Sequence, residues 1–196
     1  MATTPTRLSK QARREQLLDT AVAIVRTQGA DGLTLVTLAE EAGVSRPIAY
    51  DHFATRPGLL LALYRRLDER HRAAITRALG EAAPSAGEVA RVISAAYFGC
   101  ATDMPELSAV SAALKGNPEM EEIQHELTDS YADLMATALL PYSGLAPGAL
   151  RLWCVGVLGA AEAIAAELNR ERVTDGEAVS AMTGFLLGGL DARADR

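Results

Sequence analysis

Residues 43–53 read GVSRPIAYDHF: a glycine, a small apolar residue, a serine and a proline within five positions, followed by a polar and aromatic run. Gly43 suits a helix stop, because a residue without Cβ adopts the left-handed conformation there without steric penalty. Val44 plugs the turn that follows. A new helix then starts with Ser45 or Arg46 as its cap. Pro47 is harmless in a first turn, where N–H groups lack a helical partner, yet the residue before a proline is pushed away from helical dihedrals, so both remain open. In that helix Ala49 and Phe53, four apart, face a core, and Arg46, Pro47, Ile48, Asp51 and His52 face outward.

Upstream, Thr34 is a natural N-cap, and Leu33 staples onto Leu38, which sets the angle of a helix of only two turns that Gly43 ends. Two short helices, a glycine-containing turn and a polar outer face make a helix-turn-helix, whose second helix fits a major groove. Before it, the periodicity predicts a helix from about Lys10 to Thr27, with Leu17, Ala21, Ile24 and Val25 as its apolar stripe, stopping at Gly29.

The chain has 196 residues, 49% hydrophobic and 22% charged, with formal net charge −6. That length and composition support a sizeable core in one domain, or in a small domain joined to a larger one. The charge is uneven: residues 1–72 hold eleven Lys/Arg against eight Asp/Glu, and residues 73–196 hold eight against seventeen. The basic excess sits in Arg7, Lys10, Arg13 and Arg14, where it meets phosphate or simply solubilises the terminus. The first thirty residues lack the apolar block of a secretory signal, and the apolar run Leu152–Ala166 is interrupted by Glu162 and falls short of a membrane span. The expectation is a soluble cytoplasmic protein with no membrane partner. Cys100 and Cys154 stand in apolar helical patterns without CxxC or Cys/His spacing, so both are expected as buried free thiols, with no metal and no cofactor. No nucleophile and base at useful spacing and no phosphate-cradling loop are evident, so no enzyme is expected.

The motifs quoted above, with LLDTAVAIVRTQG before them and ATRPGLLLALY after them, resemble the TetR family of bacterial transcriptional regulators over about Arg13–Leu63. Gly29, Thr34, Ala39, the run Ala42–Ser45, Tyr50, Phe53 and Leu59–Leu60 fall in the family's order and spacing. The resemblance implies a homodimer, with a DNA-binding domain over residues 1–56 and a ligand-binding and dimerisation domain over residues 57–196. It places Arg46, Pro47 and Ile48 where the family reads base edges of double-stranded operator DNA. It places Thr34, Ser45, Tyr50, His52 and Arg56 at the DNA-contacting positions around them. The chemistry agrees: Arg46 suits guanine O6/N7, Pro47 and Ile48 suit a thymine methyl, and the Tyr50 hydroxyl suits phosphate. Two departures stand out. Arg56 occupies a position where lysine is usual, and Asp51 puts a negative charge on the DNA side, where it accepts from a cytosine amino group or orients Arg46.

Downstream the pattern is helical throughout, and all-α architecture of about nine helices is expected. Segments near 87–102, 105–115, 118–140, 147–170 and 174–192 are separated by glycine- and proline-rich stretches. In the helix from Pro147, Leu150, Trp153, Val157, Ile164 and Leu168 share one face. Leu152, Gly156, Gly159, Ala163 and Ala166 share another. The last helix has a matching small-residue row, Ala181, Gly184, Gly188 and Ala192. Glycines weaken helices, so several on one face suggest close packing, and the two helices are expected to form a four-helix dimer interface.

An effector cavity is read from Tyr97, Cys100 and Met104, from Leu107, Val110 and Leu114, and from Tyr131, Met135 and Trp153. Aromatic and methionine side chains of this kind suit a small apolar or aromatic ligand. The functional expectation is a repressor released from a palindromic operator by its ligand. The alternative is a ligand-independent protein of the same fold that acts through protein partners or as an architectural DNA binder.

Overall fold

The computed structural model describes residues 8–190; Arg7 and Ala192 lie outside them. The described residues hold nine α-helices: α1 (Lys10–Gly32), α2 (Leu35–Glu41), α3 (Arg46–Phe53), α4 (Arg56–Glu81), α5 (Ala86–Asp103), α6 (Pro105–Ala113), α7 (Pro118–Leu139), α8 (Pro147–Leu168) and α9 (Asp175–Leu190). A 3₁₀ turn at Leu140–Tyr142 follows α7. No strand occurs among the described residues, as the all-α reading expects.

The helix boundaries follow local chemistry. Ser9 caps α1, its hydroxyl accepting from the Ala12 N–H. Gly29 breaks the run with φ +72° and ψ 174°, so α1 is two helices meeting at a kink where the sequence placed the stop. Thr34 caps α2 in a reciprocal box with Thr37, each side chain accepting from the other's backbone N–H. Gly43 (φ +64°) makes the left-handed turn after α2. Ser45, with extended dihedrals, is the N-cap of α3, which leaves Arg46 and Pro47 as its first two residues.

The chain divides into two compact units. One comprises the residues up to Arg70 together with Met104–Asn117. Its buried residues include Leu17, Ala21, Ile24 and Val25 of α1, Leu38 of α2, Ala49 and Phe53 of α3, and Leu59, Leu60, Leu63 and Leu67 of α4. This unit is larger than residues 1–56, because the apolar side of α4 and its cations continue the packing. Arg66 bonds the Glu15 carbonyl and pairs with the carboxylates of Glu15 and Asp19, and Arg70 pairs with Asp19 at 3.1 Å. Helix α6 packs on α1 in the same unit. There the Glu106 carboxylate, 2% exposed, receives Arg26 Nε at 2.6 Å.

The other unit comprises His71–Asp103 and the residues from Pro118 onward. Helix α9 packs on α5 and α8, and α7 on α5 and α8. They enclose a core of Ile93, Phe98, Met135, Leu150, Val157, Met182 and Leu186. Cys154 is buried there, and burial pushes its thiol up to about 11. Cys100, expected to be buried as well, is only half-buried.

Candidate DNA-reading surface and apolar cavity

Ala49 and Phe53 anchor α3 in its unit, fully and nearly fully buried. They turn Arg46, Pro47, Tyr50 and Asp51 to the outside, with Ile48 and His52 half-buried at the margin. The Ser45 hydroxyl makes no capping bond and is exposed. Arg46 reaches back across the turn, its Nη2 donating to Glu40 Oε1 at 2.9 Å. Its acidic partner is therefore Glu40 of α2. Asp51, one of the two roles offered for which was to orient Arg46, lies one and a half turns further along α3.

Three side chains read from sequence as phosphate contacts hold the unit together. The Thr34 hydroxyl is engaged within the α2 cap. Arg56 donates to the carbonyls of Leu33 at 2.9 Å and Ala30 at 2.8 Å, which ties the start of α4 to the turn between α1 and α2. Arg14 donates to the His52 carbonyl at 2.9 Å and stacks 4.9 Å from the centre of the Phe53 ring. It thereby closes the carboxyl end of α3, as a cation at a helix C-terminus should. Nothing in the local sequence signals the bonds of Arg14 and Arg56, which join residues 23 to 38 positions apart. Lys10 is the exposed cation that remains of the described basic cluster. Burial first, then Arg14 and Lys10, lower the His52 pKa from 6.5.

A strained turn follows α3. The Thr55 N–H donates to the Phe53 carbonyl at 2.6 Å across Ala54, whose φ is +56° and ψ −50°. This is a positive-φ γ-turn, a rare conformation for a residue with a Cβ.

In the second unit, Tyr97, Tyr131 and Met135 come together around a small cavity with Ile75, Ile93 and Met182. Its volume is about 10 Å³, room for no more than one water molecule. Burial, with Glu162 and then Cys100 nearby, raises the Tyr97 hydroxyl to about 12, so it stays protonated and available as a donor. Five other residues read as cavity-lining are elsewhere. Met104, Leu107, Val110 and Leu114 belong to the first unit, where Met104 caps α6 and the other three are buried. Trp153 lies on the outside of the second unit, 38% exposed, against Gly189: a Cβ there would stand 2.0 Å from the Trp153 ring.

The small-residue faces of α8 and α9 are open. Gly156, Gly159, Ala163, Gly184 and Gly188 are exposed, and a Cβ added at any of the four glycines would meet no atom within 4 Å. Leu152 (72% exposed) and Phe185 (49%) stand among them. Among the described residues α8 is the helix long and apolar enough to cross a membrane by length and composition, with 22 residues and a mean hydropathy of 1.5 in its most apolar window. Only 28% of that window is buried, so the apolar surface is the open face itself.

An exposed polar helix held by a glycine turn on a capped short helix defines a helix-turn-helix DNA-binding protein. Residues 17–63 match the family described as bacterial regulatory proteins, tetR family. The family model covers this N-terminal part, which carries the helix-turn-helix, and the chain as a whole has a TetR-like fold. Among solved structures it is similar to a protein with unknown function from Rhodococcus sp. RHA1, at 27% identity and TM-score 0.73 over 97% of this chain and 100% of that one. It is similar to a TetR-like transcriptional regulator from the same organism, at 20% identity and TM-score 0.64 over 95% and 100%. It is also similar to the multidrug binding protein EbrR complexed with ethidium, at 22% identity and TM-score 0.66 over 88% and 98%.

Proposed function

We propose that the protein is a cytoplasmic repressor that binds an inverted-repeat operator as a homodimer and is released by a small apolar or aromatic ligand. The observation that carries the DNA-reading part is α3, which offers Arg46, Pro47, Ile48 and Tyr50 on one accessible face while Ala49 and Phe53 fix it from behind. The dimer is supported by the open faces of α8 and α9, where exposed leucine and phenylalanine flank glycines that present no side chain of their own. Two copies related by a two-fold axis would cover each other's faces, and two reading helices about 34 Å apart would match half-sites one helical turn apart.

The ligand site supported best is the cavity beside Tyr97. In its closed form it admits no metabolite, so an effector has to open it, and the two methionines there are the side chains that yield most readily. Opening it displaces Ile75 on α4, the helix whose first half belongs to the reading unit. EbrR, complexed with ethidium, supports a flat aromatic ligand in this fold. The closed cavity also supports a second reading, a ligand-independent protein of the same fold.

Selection of bound DNA from random sequence, repeated with Arg46→Ala, tests the core of the reading. The expected result is an inverted repeat, with Arg46→Ala costing about 1–3 kcal/mol on it and relaxing discrimination at one base pair of each half-site. Equal losses on selected and random DNA would remove Arg46 as a reader. Titration of a library of neutral and cationic aromatics then separates the two functional readings. Ligand-dependent release, with DNA weakening the ligand by the same factor, supports the first, and DNA binding insensitive to every compound supports the second.

A further inference from the structure

We infer that Glu40 is a specificity-determining positioning residue: it holds one edge of the Arg46 guanidinium so that the rest of the fork is presented to a base. The inference rests on the reading of Arg46 as a base contact. Its starting point is the 2.9 Å bond between Arg46 Nη2 and Glu40 Oε1, which joins the last turn of α2 to the first residue of α3.

Stability does not explain this pair. Helix carbonyls make the end of α2 a poor place for a carboxylate, and helix N–H groups make the start of α3 a poor place for a cation. Yet α2 has no basic residue in its last turn and α3 no acidic residue in its first. Both charges therefore stand at the ends their helices disfavour. The pair is also open to solvent, with side chains 61% and 60% exposed, and exposed pairs return little. A local rule broken twice at one place, without a compensating gain in stability, marks a functional arrangement.

The geometry shows what the arrangement does. A guanidinium has five N–H donors in a planar fork, and Glu40 engages one nitrogen. Glu40 takes one Nη2 N–H, and the other Nη2 N–H still forms, with Nε or with Nη1, a pair of parallel donors for guanine O6 and N7. A free arginine chain samples many rotamers and finds phosphates as readily as bases. One held by a carboxylate is ordered before DNA arrives and is partly neutralised against phosphate. Glu40 therefore favours base contact over backbone contact, at some cost in non-specific affinity.

The test uses the full chain and its selected DNA, with Glu40→Gln, Arg46→Ala and the double variant. Affinity is measured on the selected site, on the site with each base pair replaced in turn, and on random DNA at several salt concentrations. Because Glu40 is exposed, all three proteins should unfold at the same temperature. Glu40→Gln should bind random DNA more tightly, with a steeper salt dependence. It should lose about 2- to 5-fold discrimination at the base pair where Arg46→Ala loses it, and nowhere else. In the Arg46→Ala background it should change discrimination at no position. A normal Arg46→Ala effect alongside an unchanged or uniformly weakened Glu40→Gln profile overturns the role of Glu40 alone. Arg46→Ala losses that are equal on selected and random DNA overturn the reading itself, and Glu40 falls with it.

Discussion

The two units spend their polar groups differently. In the unit that carries α3, side chains close helix ends and turns: Thr34 and Thr37 box the start of α2, Arg14 closes α3, and Arg56 ties α4 to two carbonyls. In the unit built from α5 and α7–α9 the interior is apolar except for Ser94, which accepts from Thr183, and its most distinctive surface is a field of glycine, alanine and exposed large apolar side chains. A surface that reads DNA must hold its side chains before contact, which local hydrogen bonds achieve. If the second surface meets another copy of the chain, as proposed, it needs shape and dryness, which small residues provide.

The largest effect should come from breaking the second surface. Gly159→Leu and Gly188→Leu place side chains where the protomer has empty space, so neither should lower the protomer's own stability. If the face is the dimer interface, sedimentation should show monomer, and operator affinity should fall by about 10²–10⁴-fold as two half-sites lose their linkage. Dimers that persist in both variants place the interface elsewhere, and binding to vesicles instead would assign the apolar face of α8 to a bilayer.

Next comes the difference between a clamp and a phosphate contact. Arg14→Ala should lower unfolding stability by about 1–3 kcal/mol, since the His52 carbonyl and the Phe53 ring lose their cation together. Lys10→Ala should leave thermal unfolding unchanged and reduce the salt slope of DNA binding by about one. Similar thermal shifts in both would erase the distinction.

A smaller effect is expected at the γ-turn. Ala54→Gly removes the Cβ from a disfavoured conformation and should stabilise the protein by about 1 kcal/mol in a denaturant titration. A destabilised variant would show that the turn is not strained as its dihedrals indicate.

The smallest effect concerns pH. Folding disfavours the His52 imidazolium, so this residue is neutral near pH 7 and withdraws stability as pH falls below 6.5. DNA phosphate favours the cation, so operator binding should take up protons and tighten as pH drops below neutrality. His52→Gln should remove that slope, and an unchanged pH profile in the variant would take His52 away from phosphate.

How much of this was legible beforehand follows from the range of the interactions involved. Gly29, Thr34, Gly43 and Pro47 act on dihedrals and N–H groups within a few residues of themselves, so the kink, the α2 cap and the start of α3 could be read from their order alone. The helices from α5 to α9 likewise appear within a few residues of where glycine and proline punctuation puts them. Composition carried the burial of Ala49 and Phe53, four apart on a short amphipathic helix.

Long-range closure was another matter. Sequence spacing offers no hint that Arg14 and Arg56 seek carbonyls 38 and 23 residues away, and an arginine near a reading helix looks the same whether it meets phosphate or backbone. Trp153 shares its helical face with Leu150 and Val157, yet Gly189 of α9 draws its ring to the outer surface, because only a glycine leaves the ring that space. Met104, Leu107 and Val110 follow α5 in the chain but fold with α1, since the apolar side of α6 and the buried Glu106 find their partners there. By itself, then, the sequence determined the helices and the orientation of the reading face, which depend on neighbours within a turn or two. Only the tertiary structure decided which cations bind backbone, which apolar residues share a cavity and which carboxylate holds Arg46, because those partners meet only when distant segments pack.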